Sequence, residues 1–327
     1  MKTRQYEYAS VLADEFMSYF ALRESQGHQS IREFHYFKRF DQYLIAENAT
    51  EKALPAPIIE GWIKSLPPDM STNTKIVYIS HYTQFAKYLK TLGISAFIPE
   101  RPVDDNSYTP YVFSENEVER IFAAADNIAE NTKSPRFAAY EFPLIMRILY
   151  GCGLRLNEAL RLRVSDTDLQ AGVLLIRNAK GNQDRLVPMD SSLTNILCSY
   201  IQTYRKDAAA EALLFPNRKN ECYSDMMMRS WFNRVLVKAG IEKANLPRYS
   251  RNICLHCLRH TFAVHSFRKQ DLAGVDMYAA PPFLSIYMGH AQINGTETYL
   301  HMTAENSTDI IEKTAAYTAG LFPEVPR

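Results

Sequence analysis

Six residues carry types suited to breaking a phosphodiester without a metal. In chain order they are Arg155, Lys180, His256, Arg259, His290 and Tyr299. Such a reaction needs a nucleophile for phosphorus, fixed cations for the non-bridging oxygens, and a proton donor for the leaving oxygen. Arginine is the better oxygen clamp, because its planar fork makes two hydrogen bonds at once and stays charged. Lysine and histidine suit proton transfer. Tyrosine suits a covalent intermediate that is exchanged rather than hydrolysed. His256 and Arg259 are three apart, so on a helix they share one face. Gly289 and His290 follow an apolar run that stops abruptly, and Tyr299 comes nine residues later.

Each residue alone has an ordinary explanation. Arg155 is a surface arginine, Lys180 a solvated turn residue, His290 part of a helix stop, and Tyr299 one of 20 tyrosines. The set and its order reverse that reading. His260 competes with His256 and is read as a buried structural hydrogen-bonder beside it. Tyr278, Tyr287 and Tyr317 are rival tyrosines. Tyr287 lies in the apolar run from Phe283 to Met288, so packing accounts for it, and Tyr317 sits on a last helix. Cys254 and Cys257 with His256 and His260 invite a zinc reading, but a four-ligand structural site needs a second ligand pair at suitable spacing. The other cysteines, Cys152, Cys198 and Cys222, are single and remote, and no Asp/Glu cluster of metal-binding type accompanies the six. No metal and no cofactor is expected.

The elements that must position these groups read as mainly α with a small β-sheet (α+β). Helical spacing of apolar residues predicts helices from about Tyr6 to Phe20, Ser30 to Ala46, Pro57 to Ile63, and Ser71 to Leu92, where Gly93 can cap. No strand pattern occurs there. Residues 1–105 therefore form a compact helical bundle. Its polar face, with Lys75 and Lys87 among others, can touch a phosphate backbone; the alternative is an ordinary solvated surface. Arg101 to Pro110 reads as a linker, so residues 106–327 form a second domain. Ser114 with Glu117 three residues on is a capping box. An apolar helix runs from about Phe137 to Tyr150 and the chain turns through Gly151, Cys152 and Gly153. Arg155 then begins another helix, where free backbone N–H groups favour an anion. Val173 to Arg177 and Arg185 to Pro188 read as a hairpin with Lys180 at its turn. Helices follow at Asp190 to Tyr204, Ser224 to Gly240 and Glu305 to Gly320.

The bulk numbers set bounds. Apolar residues are 46% and charged residues 22% of 327, which is ordinary globular composition. Residues 1–105 carry 12 Lys/Arg and 13 Asp/Glu, net −1, and residues 106–327 carry 25 and 23, net +2. There is no global basic signature, so contact with nucleic acid depends on local clustering. Five scattered cysteines fit a reducing compartment. No signal peptide is visible and no stretch of about 18 apolar residues occurs, so a cytoplasmic protein without a membrane span is expected.

Taken together, the Gly-Cys-Gly-Leu-Arg segment ending at Arg155, the Ala-Lys-Gly around Lys180, His-Cys-Leu-Arg-His at 256–260, Met-Gly-His at 288–290, and Tyr299 resemble the tyrosine recombinases of the phage integrase family. Residues 109–327 carry the resemblance; residues 1–105 match that family's DNA-clamping core-binding domain by position and helical character. The stretch between Arg259 and His290 is longer than in the simplest members. The resemblance implies that Tyr299 attacks the scissile phosphate, leaving a 3′-phosphotyrosyl link and a free 5′-hydroxyl. It implies that Arg155 and Arg259 hold the non-bridging oxygens, that Lys180 protonates the leaving oxygen, and that His256 and His290 hydrogen-bond the phosphate. Glu158 would orient Arg155. Arg185 joins Lys75 and Lys87 as a DNA-contact candidate. The partners implied are double-stranded recombination sites, further copies of the chain in a tetramer on DNA, and in some cases sister recombinases, with no ATP. The last helix would dock on a neighbouring subunit or on its own domain. Two other readings remain open: a nicking enzyme like the type IB topoisomerases, and a DNA-binding accessory factor without catalysis, against which the intact six-residue set argues.

Overall fold

The computed structural model describes residues 6–27, 31–103, 109–128, 136–179, 183–244, 252–274 and 280–289. The chain divides into two compact units, with a boundary between Tyr108 and Thr109.

Among the described residues the first unit holds four helices: α1 (Ala13–Ser25), α2 (Ile31–Ala46), α3 (Ala56–Ser65) and α4 (Thr72–Thr91). Ser71 caps α4 by accepting from the Thr74 N–H at 3.3 Å, which satisfies one of the helix's orphan donors. The core is built from rings. Phe85 stacks on Phe16 with centroids 4.7 Å apart, Phe20 on Phe34 at 4.1 Å, and Phe40 meets Trp62 at 4.8 Å. Helix α1 starts later than apolar spacing predicts. The buried carboxylate of Asp41 accepts from the backbone N–H groups of Ala9 (3.2 Å) and Ser10 (2.9 Å) and from the Tyr6 hydroxyl (2.8 Å). Donors spent on a side chain are lost to a helix, so residues 6–9 run in as irregular backbone. Tyr8 still packs its ring on Phe16 and Phe20.

The second unit opens with α5 (Glu115–Asp126), whose Ser114–Glu117 capping box is present in both directions. A π-helical segment, Phe137–Glu141, leads into α6 (Phe142–Gly151). Pro143 lacks the N–H that an α-helix would bond back to residue 139, which favours the wider turn at this junction. Helix α6 is buried over most of its length. It is followed by the short α7 (Leu156–Leu160) and an antiparallel sheet of β1 (Thr167–Asp168), β2 (Val173–Ala179) and β3 (Gln183–Pro188), in that order. Then come α8 (Ser191–Tyr200), α9 (Asp225–Lys238) capped by Ser224, α10 (His256–Leu272) and α11 (Ala280–Met288).

Register in the sheet decides which side chains face the core. Leu174 pairs with Val187 and Ile176 with Arg185. Leu174, Ile176 and Val187 are all buried, so the two-residue alternation of strands sends Arg185 inward with them. Its neighbour Leu186 faces out. The last helix expected at 305–320, together with Tyr278 and Tyr317, lies outside the described residues. Among the described residues no helix is long and apolar enough to cross a membrane.

Candidate active site

The site begins at the Gly151–Gly153 turn. Gly153 has φ +59, and a Cβ there would lie 2.4 Å from the ring of Phe262, so only glycine fits both the conformation and the space. The turn delivers Arg155 as the N-cap of α7. Glu158, at the third helical position, reaches back. One carboxylate oxygen, Oε2, accepts from the Arg155 backbone N–H at 2.9 Å, and the other, Oε1, accepts from its Nη1 at 2.8 Å.

Arg185 enters the same carboxylate from β3. Its Nη2 donates to Glu158 Oε2 at 2.8 Å and its Nη1 to Oε1 at 3.2 Å. Arg259, from α10, brings its Nη1 to 4.0 Å from Glu158 Oε2. Three guanidiniums thus surround one carboxylate. Burial by itself would raise the Glu158 pKa, but donation from Arg185 and from the Arg155 backbone outweighs it, and the pKa falls to about 2. The carboxylate is ionised at neutral pH, and the cluster carries a net charge of +2. An anion is the ligand such a cluster favours.

The same three arginines grip the end of α11 on consecutive carbonyls. Arg185 Nε donates to Tyr287 O at 2.9 Å, Arg259 Nη2 to Met288 O at 2.7 Å, and Arg155 Nη2 to Gly289 O at 3.0 Å. The last carbonyls of a helix have no partners within it and carry the negative end of its dipole. The guanidiniums supply both the donors and the countercharge. Arg259 also donates to Gly153 O at 2.5 Å, tying the Arg155 turn to the same point. Its side chain is 2% exposed, while that of Arg155 is 25% exposed.

His256 stands on the exposed first position of α10, one turn before Arg259. His260 is half-buried rather than buried, with its ring edge-on to His256 at 4.6 Å. Tyr287 is a packing residue here: its ring stacks on Phe262 and its hydroxyl donates to Pro188 O. Cys254 and Cys257 are free thiols with sulfurs 4.0 Å apart, and among the described residues no three His, Cys, Asp or Glu side chains group as metal ligands.

The structure therefore brings Arg155, Glu158 and Arg259 together, with His256 one helical turn before Arg259 on α10 and His260 next to it in the chain. Lys180, His290 and Tyr299 lie outside the described residues. Lys75 is half-buried and Lys87 exposed on α4 of the first unit. Arg185 is an inward residue, 10% exposed and bonded to Glu158 and Tyr287 O. Its position across from Ile176 was the available signal.

A family model described as "Phage integrase family" matches residues 111–306, a span that includes all six candidate positions. A tyrosine recombinase, XerA, from Pyrococcus horikoshii is 28% identical over 323 residues, covering 96% of each chain. A XerA from Thermococcus kodakarensis is 30% identical over 262 residues, 75% of this chain and 82% of that one. Among solved structures, the XerH site-specific recombinase in a post-cleavage complex with a palindromic difH substrate has a TM-score of 0.63 at 19% identity, covering 85% of this chain and 77% of that one. At that identity the likeness is one of fold. The chain belongs to the phage integrase family of tyrosine-type site-specific recombinases.

Proposed function

We propose that this recombinase cleaves and rejoins double-stranded DNA at a specific site through Tyr299, with Arg155, Lys180, His256, Arg259 and His290 around the scissile phosphate. One observation supports this reading most. Arg155 and Arg259 are brought onto one carboxylate and onto the backbone of Met288 and Gly289, and the chain runs directly from there to His290 and Tyr299.

The Tyr299 phenol oxygen forms a bond to phosphorus, and the bond from phosphorus to the sugar 5′-oxygen breaks. Lys180 gives the leaving oxygen its proton. The phenolic proton passes to His256 or His290. Arg155 and Arg259 neutralise the charge that builds on the non-bridging oxygens, where preorganised donors contribute most. The product is a 3′-phosphotyrosyl link and a free 5′-hydroxyl. Attack by a 5′-hydroxyl from a second duplex reverses the step and exchanges strands, so the phosphodiester energy is conserved and no ATP is spent. Lys75 and Lys87 contribute contacts to DNA phosphates. Two duplexes with two cleaving tyrosines each call for four copies, of this chain alone or with sister recombinases.

A nicked suicide substrate carrying the target site tests the chemistry. Wild type should accumulate a covalent DNA–protein adduct, and Tyr299→Phe should bind the same DNA without forming it. A wild-type protein that binds and never forms the adduct ends the proposal. Relaxation of any supercoiled plasmid without a paired site would instead indicate a topoisomerase-like activity.

A further inference from the structure

Arg185 is the one member of the arginine cluster with no part in the chemistry above, yet it is bound to the same carboxylate and the same helix end as the others. It stands on β3, whose first residue comes three positions after Lys180 in the chain. It bridges both oxygens of Glu158, the same two oxygens that hold the Arg155 side chain and backbone. Its Nε donates to the Tyr287 carbonyl at the end of α11.

Gly289 lies directly against this guanidinium. Its φ is +66, and a Cβ on it would sit 2.9 Å from Arg185 Nη1. A side chain at this position would be strained by the backbone and would press on the arginine. Three segments that carry proposed catalytic groups meet at one side chain: the hairpin of Lys180, the helix of Arg155, and the strand of chain leading to His290. A lysine cannot reproduce this. It is a point charge on a flexible stem, whereas the guanidinium presents five donors in a rigid fork.

We infer that Arg185 is a positioning residue for DNA cleavage, acting through Glu158 on Arg155 and through the Tyr287 carbonyl on the segment that carries His290. The inference rests on the reading of Tyr299 as nucleophile. It does not depend on any contact between Arg185 and DNA.

The test measures single-turnover adduct formation on the suicide substrate for wild type, Arg185→Gln, Arg185→Lys, Glu158→Gln and the Arg185→Gln/Glu158→Gln pair. Rates are taken well below each protein's melting transition, and DNA affinity is measured in parallel. Arg185→Gln should slow adduct formation about a hundredfold, the scale set by roughly 1 Å of misplacement at a reacting centre, while affinity stays within about threefold. Arg185→Lys should remain slow by about tenfold or more, since charge without the fork does not hold both oxygens. Because the two residues act as one unit, the double variant should be no slower than the slower single variant.

If wild type forms the adduct and Arg185→Gln matches it within about threefold, the positioning role is wrong while the recombinase chemistry stands. Losses that multiply in the double variant, or a loss of affinity that accounts for the slower adduct, overturn it equally. If Arg185→Gln does not fold, Arg185→Lys decides by the same comparison. If wild type forms no adduct, the nucleophile assignment fails and the inference falls with it.

Discussion

The core of the first unit and the arginine cluster of the second are held together by opposite means. In the first, Phe16, Phe37, Phe40, Trp62, Tyr82 and Phe85 pack ring against ring, and the fully buried carboxylate of Asp41 is satisfied by backbone N–H groups and a tyrosine hydroxyl. In the second, Arg259 is among the largest fully buried side chains and shares Glu158 with two more arginines. Ring packing is insensitive to small displacements and gives its stabilisation in area removed from water. A buried ionic cluster gives little net stability, because desolvation offsets most of the attraction. Its return is geometric: it fixes where charged groups point. The difference separates a region built for stability from one built for placing cations.

The largest effects should separate the two regions cleanly. Phe85→Ala, at the centre of the ring cluster, should cost about 3–5 kcal/mol of stability in denaturant unfolding, with the adduct rate per folded, DNA-bound molecule unchanged. Arg259→Met should do the reverse. It keeps volume and leaves Glu158 paired to two arginines, so stability should change by less than about 2 kcal/mol. Adduct formation should drop by about a hundredfold to a thousandfold in single-turnover assays. Similar stability losses for both would erase the contrast.

Acid sharpens the same contrast. The Glu158 pKa is depressed to about 2 from its usual 4.5. A depressed carboxylate contributes stability that is fully present above its unfolded pKa and is lost as pH falls through the folded one. Wild type should therefore be more stable than Glu158→Gln by roughly 3 kcal/mol near neutrality. That advantage should vanish between pH 4.5 and about 2, as read by unfolding at each pH. An advantage independent of pH would mean the carboxylate charge is not what holds the arginines.

Smaller effects follow at the edges. Gly289→Ala places a side chain at positive φ against Arg185, which should cost about 1–2 kcal/mol and slow cleavage by about tenfold at unchanged DNA affinity. Lys87→Gln on the first unit should leave the cleavage step alone. It should weaken binding to all sequences alike and lower the salt slope of affinity by about one, as measured by titration across salt concentrations.

Local signals were the legible part. Ser114 with Glu117 announced a helix start, and both bonds are present. Residue types and their order picked out Arg155, Glu158 and Arg259, which do meet in space. Helix α1 was misjudged at its start, because periodicity carries no information about Asp41, thirty-one positions from Ser10. The surroundings of Arg185 were illegible for a related reason. A charged residue in a short strand reads as exposed until its register across from Ile176 and its partner Glu158 are known.

What the sequence alone determined is the chemistry available: cations, histidines and a tyrosine in a fixed order, separated by apolar segments long enough to fold between them. What only the tertiary structure decided is which of these groups share a charge and a backbone end. Three arginines from α7, β3 and α10 take consecutive carbonyls at the end of α11. The physical reason is range. Helix periodicity and caps act over a few residues, whereas the meeting of Arg155 with Gly289 spans 134 positions and is set by how helices and strands pack.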